Sequence, residues 1–173
     1  MSADLVEAAT TGRAKCRACG QNIEKGALRF GERVPNPYGE GDTTHWFHLY
    51  CAAEQHAEKL GDALAAYGGD VPDRELLERV VENGRQNPKL ASVRRSERAP
   101  SGRARCQHCH EKIEKDAWRI AFERDPEPMG MVTLSYVHLR CGPAHFGKAG
   151  LAEKLLRLTD GLTEEEIDEA FRD

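Results

Sequence analysis

No stretch of this 173-residue chain approaches the roughly 18 consecutive apolar residues that a membrane-spanning helix needs. The opening residues, 1–11, carry Asp4 and Glu7 where a secretory leader would carry lysine or arginine, so a soluble, intracellular protein is expected. Apolar residues are scarce, 39% against 31% charged, which is lean for one large core. The length fits either one domain or two small ones. Small units that gain stability from something besides apolar burial are the expectation. Six cysteines supply that something. In a reducing compartment, an even number of cysteines at Cys-x2-Cys spacing points to metal before disulfides.

Net positive charge is also missing: the formal value is -4. A uniform object of that charge would repel nucleic acid, but the charge is not uniform. Residues 142–173 hold four basic and eight acidic residues, which is the whole deficit, while residues 11–51 hold six basic and four acidic. Between Arg85 and Arg105 stand seven basic residues against one acid, Glu97. Such a stripe suits a phosphate backbone, and it equally suits a solvated linker.

Self-similarity organises the rest. Thr11-Gly-Arg-Ala-Lys-Cys16-Arg-Ala-Cys19 reappears as Ser101-Gly-Arg-Ala-Arg-Cys106-Gln-His-Cys109, an offset of 90. The same offset takes Ile23 to Ile113, Arg29 to Arg119, Trp46 to Tyr136, His48 to His138 and Cys51 to Cys141. Two similar modules follow, with boundaries expected at 1–89 and 101–173 and a basic linker over 90–100.

Each copy carries Cys-x2-Cys, 28 intervening residues, then His-x2-Cys. Three soft thiolates and one imidazole make a closed tetrahedral site for zinc, whose filled d shell imposes no geometry of its own. The ligand sets are Cys16, Cys19, His48 and Cys51, and Cys106, Cys109, His138 and Cys141. Of the seven histidines only His48 and His138 recur in the repeat, which separates them from His108, His110 and His145. Two structural zinc ions are expected, with no open position for water and no thiol left over for nucleophilic work.

The coarse pattern is α+β. Segments 27–34 and 118–124 alternate apolar and polar residues as half-buried strands do. Turn-rich loops follow at 35–42 and 125–130, and strands at 44–47 and 132–137 return to the metal. Helices are expected over 52–67, 72–83, 149–158 and 163–172, with Thr163 and Glu166 forming a capping box. Each module is thus a short antiparallel sheet plus helices around one Cys3His site.

The runs Ser101-Gly-Arg-Ala-Arg-Cys106, Ile113-Glu-Lys115 and His45-Trp-Phe-His48-Leu-Tyr-Cys51 resemble the zinc fingers of poly(ADP-ribose) polymerases. Val34-Pro-Asn-Pro-Tyr38 resembles the related finger of DNA ligase III. The likeness covers about residues 11–51 and 101–141, and nothing similar to a transferase or nucleotidyl domain accompanies it. It implies recognition of nicks, gaps and ends by shape, through phosphate contacts and stacking on an exposed base. By that resemblance Arg13, Lys15, Arg29, Arg103, Arg105 and Arg119 would hold phosphates. Tyr38 would stack in the first module; the second departs from that pattern and offers Met129 and Met131 to cover a base instead, while the repeat of an aromatic at Trp46 and Tyr136 assigns those two to structure.

The expected function is therefore a zinc-dependent, non-enzymatic sensor of DNA strand breaks in repair or damage sensing. It would be associated with DNA in a nucleus or a bacterial nucleoid. The 49 residues from Ala52 to Pro100 would let both fingers share one lesion. The competing expectation is a zinc-stabilised adaptor whose acidic helices recruit a repair enzyme without reading the break. A zinc hydrolase is disfavoured by the closed sites and by the lack of a carboxylate pair at motif spacing.

Overall fold

The computed structural model describes residues 3–124 and 133–172. The chain divides into two compact units, 1–88 and 89–173.

In the first unit, β1 (Leu5–Ala8), β2 (Leu28–Pro35) and β3 (Asp42–His48) form an antiparallel sheet in that order. Three helices follow: α1 (Leu49–Gln55), α2 (Ala57–Ala66) and α3 (Arg74–Gln86). Phe30 and Phe47 project from the sheet into a core completed by Ile23, Leu60, Leu77 and Val81. The helix expected over 52–67 is two helices. The chain leaves helical geometry at His56 (φ -132, ψ 44), where the imidazole lies 4.8 Å from the Phe47 ring and 3.7 Å from Glu32. Helix α3 crosses α1 at Gly84, where an added methyl would collide with the carbonyl oxygen of Ala53.

The second unit repeats the plan. Strands β4 (Val93–Arg98), β5 (Trp118–Glu123) and β6 (Leu134–His138) form its sheet, again antiparallel and in that order. A 3-10 turn, Leu139–Cys141, leads into α4 (Gly142–Phe146), α5 (Leu151–Leu158) and α6 (Glu164–Ala170). Ile113, Ile120, Val137, Leu151, Leu155 and Ile167 are fully or almost fully buried at its centre. The expected capping box is present: the Thr163 hydroxyl accepts from the Glu166 amide and the Glu166 carboxylate accepts from the Thr163 amide.

Both sheets have a first strand that pattern reading did not find. Within the segment expected as a linker, 90–100, strand β4 pairs with β5, and its arginines meet carboxylates. Arg94 pairs with Glu123, Arg95 with Glu97 at 2.8 Å, and Arg98 with Glu166 at 2.9 Å. Farther back, Arg85 pairs with Glu58 at 3.2 Å. Four of the seven cations of the basic stripe are thus paired, three with acids from elsewhere in the sequence and Arg95 with the stripe's own Glu97. Most of 52–100, read as a reach across a lesion, lies in α1, α2, α3 and β4.

Candidate metal centres and the faces around them

Each ligand set is assembled from a knuckle and a strand-to-helix junction. In the first unit the turn after Cys16 is closed by the Gly20 amide on the Cys16 carbonyl, and Lys15 bridges to Asn22. His48 ends β3, and Cys51 stands in the first turn of α1. All four ligand atoms lie within 4.8 Å of one another, and the same holds for Cys106, Cys109, His138 and Cys141.

The His48 Nδ1 is 3.4 Å from Cys19 Sγ and 3.9 Å from Cys51 Sγ. The second set repeats these values, 3.4 Å from His138 Nδ1 to Cys109 and 3.9 Å to Cys141. A tetrahedral zinc with the usual bond lengths, about 2.3 Å to sulfur and 2.0–2.1 Å to nitrogen, separates its ligand atoms by about 3.5 Å. The donors present therefore fit the ion. In each unit the ligand histidine's backbone amide donates to the first cysteine's sulfur at 3.4 Å. The far ring nitrogen, Nε2, faces a main-chain oxygen, 3.2 Å from Asn22 and 3.1 Å from Lys112. That partner fixes the tautomer that leaves Nδ1 free for metal.

Thiols this close cannot all ionise without a cation. A hydrogen bond from Cys51 brings Cys16 down to about 3, while the same contact, followed by burial, pushes Cys51 up. In the second set burial pushes Cys106 up, but amides of Cys109, His138 and His108 outweigh it and bring the thiol to about 6. Burial first, then the charge of Cys106, pushes Cys141 up to about 12. A divalent ion removes the conflict by taking all three thiolates at once.

The two centres differ in shielding. Cys19 is exposed and His48 and Cys51 are half-buried, whereas His138 and Cys141 are 6% and 8% exposed. In the second unit α6 packs against the 3-10 turn that carries Cys141.

Beside each centre lies a second repeated constellation. Arg29 is the cross-strand neighbour of His48, and Arg119 that of His138. The Arg29 guanidinium lies 3.6 Å over the Trp46 ring and donates to Glu7 at 2.7 Å. That of Arg119 lies 3.6 Å over the Tyr136 ring and donates twice to Glu97, at 3.1 and 2.5 Å. Both arginines, expected at the DNA surface, are only 6% exposed. The pairing of Glu7 and Glu97 with these arginines was not read from the sequence, although the two obey the offset of 90, as do Ala9 and Ala99, which make matching backbone bonds to Ala27 and Ala117.

The other expected contacts are placed as follows. Arg13, Lys15, Arg103 and Arg105 are exposed on the knuckles, Arg105 donating to the His110 carbonyl at 3.2 Å. Tyr38, at the tip between β2 and β3, is 97% exposed. Its loop is pinned by the Asn36 side chain, which accepts from the Tyr38 amide at 3.0 Å, and by the Asn36 amide on Gly41 at 2.9 Å. Met129 and Met131 lie outside the described residues.

Residues 7–80 match the family model described as the poly(ADP-ribose) polymerase and DNA-ligase zinc-finger region. The first unit is a poly(ADP-ribose) polymerase-type zinc finger, and the second repeats its ligand set and its plan. Relatives include poly(ADP-ribose) polymerase 1 of Danio rerio, 30% identical over 152 residues, covering 78% of this chain and 15% of that protein. The Gallus gallus polymerase 1 is 29% identical over 133 residues, 66% of this chain and 13% of its own. The Drosophila melanogaster polymerase is 30% identical over 130 residues, covering 67% and 13%. The chain thus spans 13–15% of the length of these relatives. The two Cys3His sets are zinc sites, and no helix among the described residues is long and apolar enough to cross a membrane.

Proposed function

We propose that the chain binds DNA at strand breaks, recognising nicks, gaps and ends by shape, and serves repair or damage sensing without catalysing a reaction. One observation carries the reading: Tyr38 stands 97% exposed on a loop that its own hydrogen bonds hold still. Leaving an aromatic ring in water has no packing reward, whereas stacking on an unpaired base contributes about 1–3 kcal/mol whatever the base. The exposed cations Arg13 and Lys15, with Arg103 and Arg105 in the second unit, supply phosphate contacts that position without reading sequence. Arg29 and Arg119 take part only where their carboxylate partners yield. Kinship with poly(ADP-ribose) polymerase fingers supports the same reading, and closed metal sites leave zinc a structural role.

The test is a titration of nicked, gapped and intact duplexes. Broken duplexes should bind more tightly, and Tyr38→Ala should remove most of that preference, roughly 5- to 150-fold from the stacking term, with zinc content unchanged. Equal affinity for broken and intact DNA would sink the reading.

A second reading, an adaptor that recruits a repair enzyme, is favoured by one feature of the second unit. An open groove of 320 Å³ runs between Trp118, Leu139 and Ala170. Beside it α6 exposes Glu164, Glu165, Asp168 and Glu169. DNA affinity unaffected by combined Tyr38→Ala and Arg13→Ala changes would support it.

A further inference from the structure

The two arginine sites described above are not equally complete. Arg29 is held by Glu7 through one hydrogen bond, and its Nε is buried with no partner. Arg29 is only 6% exposed, and its Nε–H is a donor that no protein acceptor takes and that an oxyanion could. Glu7 itself has a side chain 38% exposed, on an edge strand, so it can swing into water. In the second unit the same place is closed. Glu97 takes both Nε and Nη2 of Arg119, and Arg95 grips the same carboxylate at 2.8 Å. Position 95 has no cationic counterpart in the first unit, where the offset of 90 falls on Leu5.

We propose that Glu7 and Glu97 are placeholders for a phosphate oxygen, and that Arg95 latches the second placeholder shut while the first opens to DNA. The inference rests on the DNA-binding reading and assigns unequal roles to the two fingers. The first engages a backbone phosphate at Arg29 by exchanging one oxyanion for another. The second holds Arg119 in reserve behind a carboxylate that it shares with Arg95. The exchange is cheap for Glu7, because its carboxylate returns to water as the phosphate leaves water.

The discriminating variants are Arg95→Leu and Glu97→Gln, measured on intact duplex across a range of salt. Arg95→Leu removes a cation, which ordinarily weakens DNA binding, yet here it should strengthen it roughly two- to fivefold, the scale of one exposed ion pair. Glu97→Gln should steepen the dependence of log affinity on log salt by about 0.9, one added phosphate. Glu114→Gln, the same charge change at an exposed residue away from Arg119, should leave that slope nearly unmoved. Two equivalents of zinc in each variant certify the fold, and the isosteric Glu97→Gln keeps the test decisive if Arg95→Leu misfolds. Weaker binding by a folded Arg95→Leu, or a slope in Glu97→Gln no steeper than in Glu114→Gln, overturns the proposal. Wild-type indifference to nicks would sink only the break reading, since every comparison here uses intact DNA.

Discussion

His48 Nε2 lies 3.2 Å from the carbonyl oxygen of Asn22, and His138 Nε2 lies 3.1 Å from that of Lys112. The knuckle that supplies two thiolates therefore also orients the imidazole brought from the far end of the sheet. Knuckle and strand end are thus tied to each other through the ligand histidine as well as through the metal set. Structural zinc in small fingers contributes on the order of 10–16 kcal/mol, more than a core of this size supplies. Cys16→Ala is expected to unfold the first unit and leave the second folded, with bound zinc falling from two equivalents to one. Far-ultraviolet circular dichroism and elemental analysis check both halves of that expectation.

The unequal shielding of the centres predicts an order of metal loss. With Cys19 exposed and His48 and Cys51 half-buried, the first site should release zinc to a chelator, or to a thiol-alkylating reagent, well before the second. Buried His138 and Cys141 should slow the second site at least several-fold. A chromogenic zinc indicator would show two phases of equal amplitude. Mass spectrometry of partly alkylated protein should find the label on Cys19, Cys16 and Cys51 first.

Gly84 lies within α3, where alanine is the better helix former by up to about 1 kcal/mol. Its missing side chain is what lets α3 approach the Ala53 carbonyl. Gly84→Ala should therefore destabilise the first unit by about 1–3 kcal/mol, the usual cost of overpacking, against the propensity gain. Thermal unfolding of the zinc-loaded protein decides the sign.

Glu32 belongs to the first unit only, since the repeat places Phe122 opposite it. Burial raises its carboxyl, but the Lys59 ammonium at 2.6 Å and the charge of His56 outweigh that and hold it below the ordinary value of 4.5. A depressed folded value means the stabilisation is fully present above about pH 4.5 and is lost as pH falls through the folded value. Glu32→Gln should thus lower stability at neutral pH and converge on wild type in acid. Both proteins lose zinc alike as their thiolates protonate, so the difference between them isolates Glu32.

The metal centres were legible because ligand chemistry demands both residue type and spacing, and the repeat removed the ambiguity among seven histidines. Strands β2 and β5 were legible from alternation, and β3 and β6 from the short runs that return from a turn-rich loop to the ligand histidine. The edge strands β1 and β4 were not. Leu5–Ala8 is only four residues long, and β4 reads as a charged linker because its arginines are neutralised by Glu123, Glu97 and Glu166. The burial of Arg29 and Arg119 was hidden for the same reason: their partners lie 22 residues back, on those unrecognised strands. The helix that composition alone supports is interrupted at His56, whose side chain lies against Phe47 and Glu32, contacts that a single-segment reading does not show.

Strands β1 and β4 precede the first cysteine of their units by eleven and thirteen residues at their starts, at Leu5 and Val93. A fragment cut at the visible motif, at Thr11 or Ser101, would keep every zinc ligand and still lose a third of its sheet. Such a clone would expose the backbone of β2 or β5 as a raw edge and strand a cation in the interior. Its poor solubility would then say nothing about the intact finger.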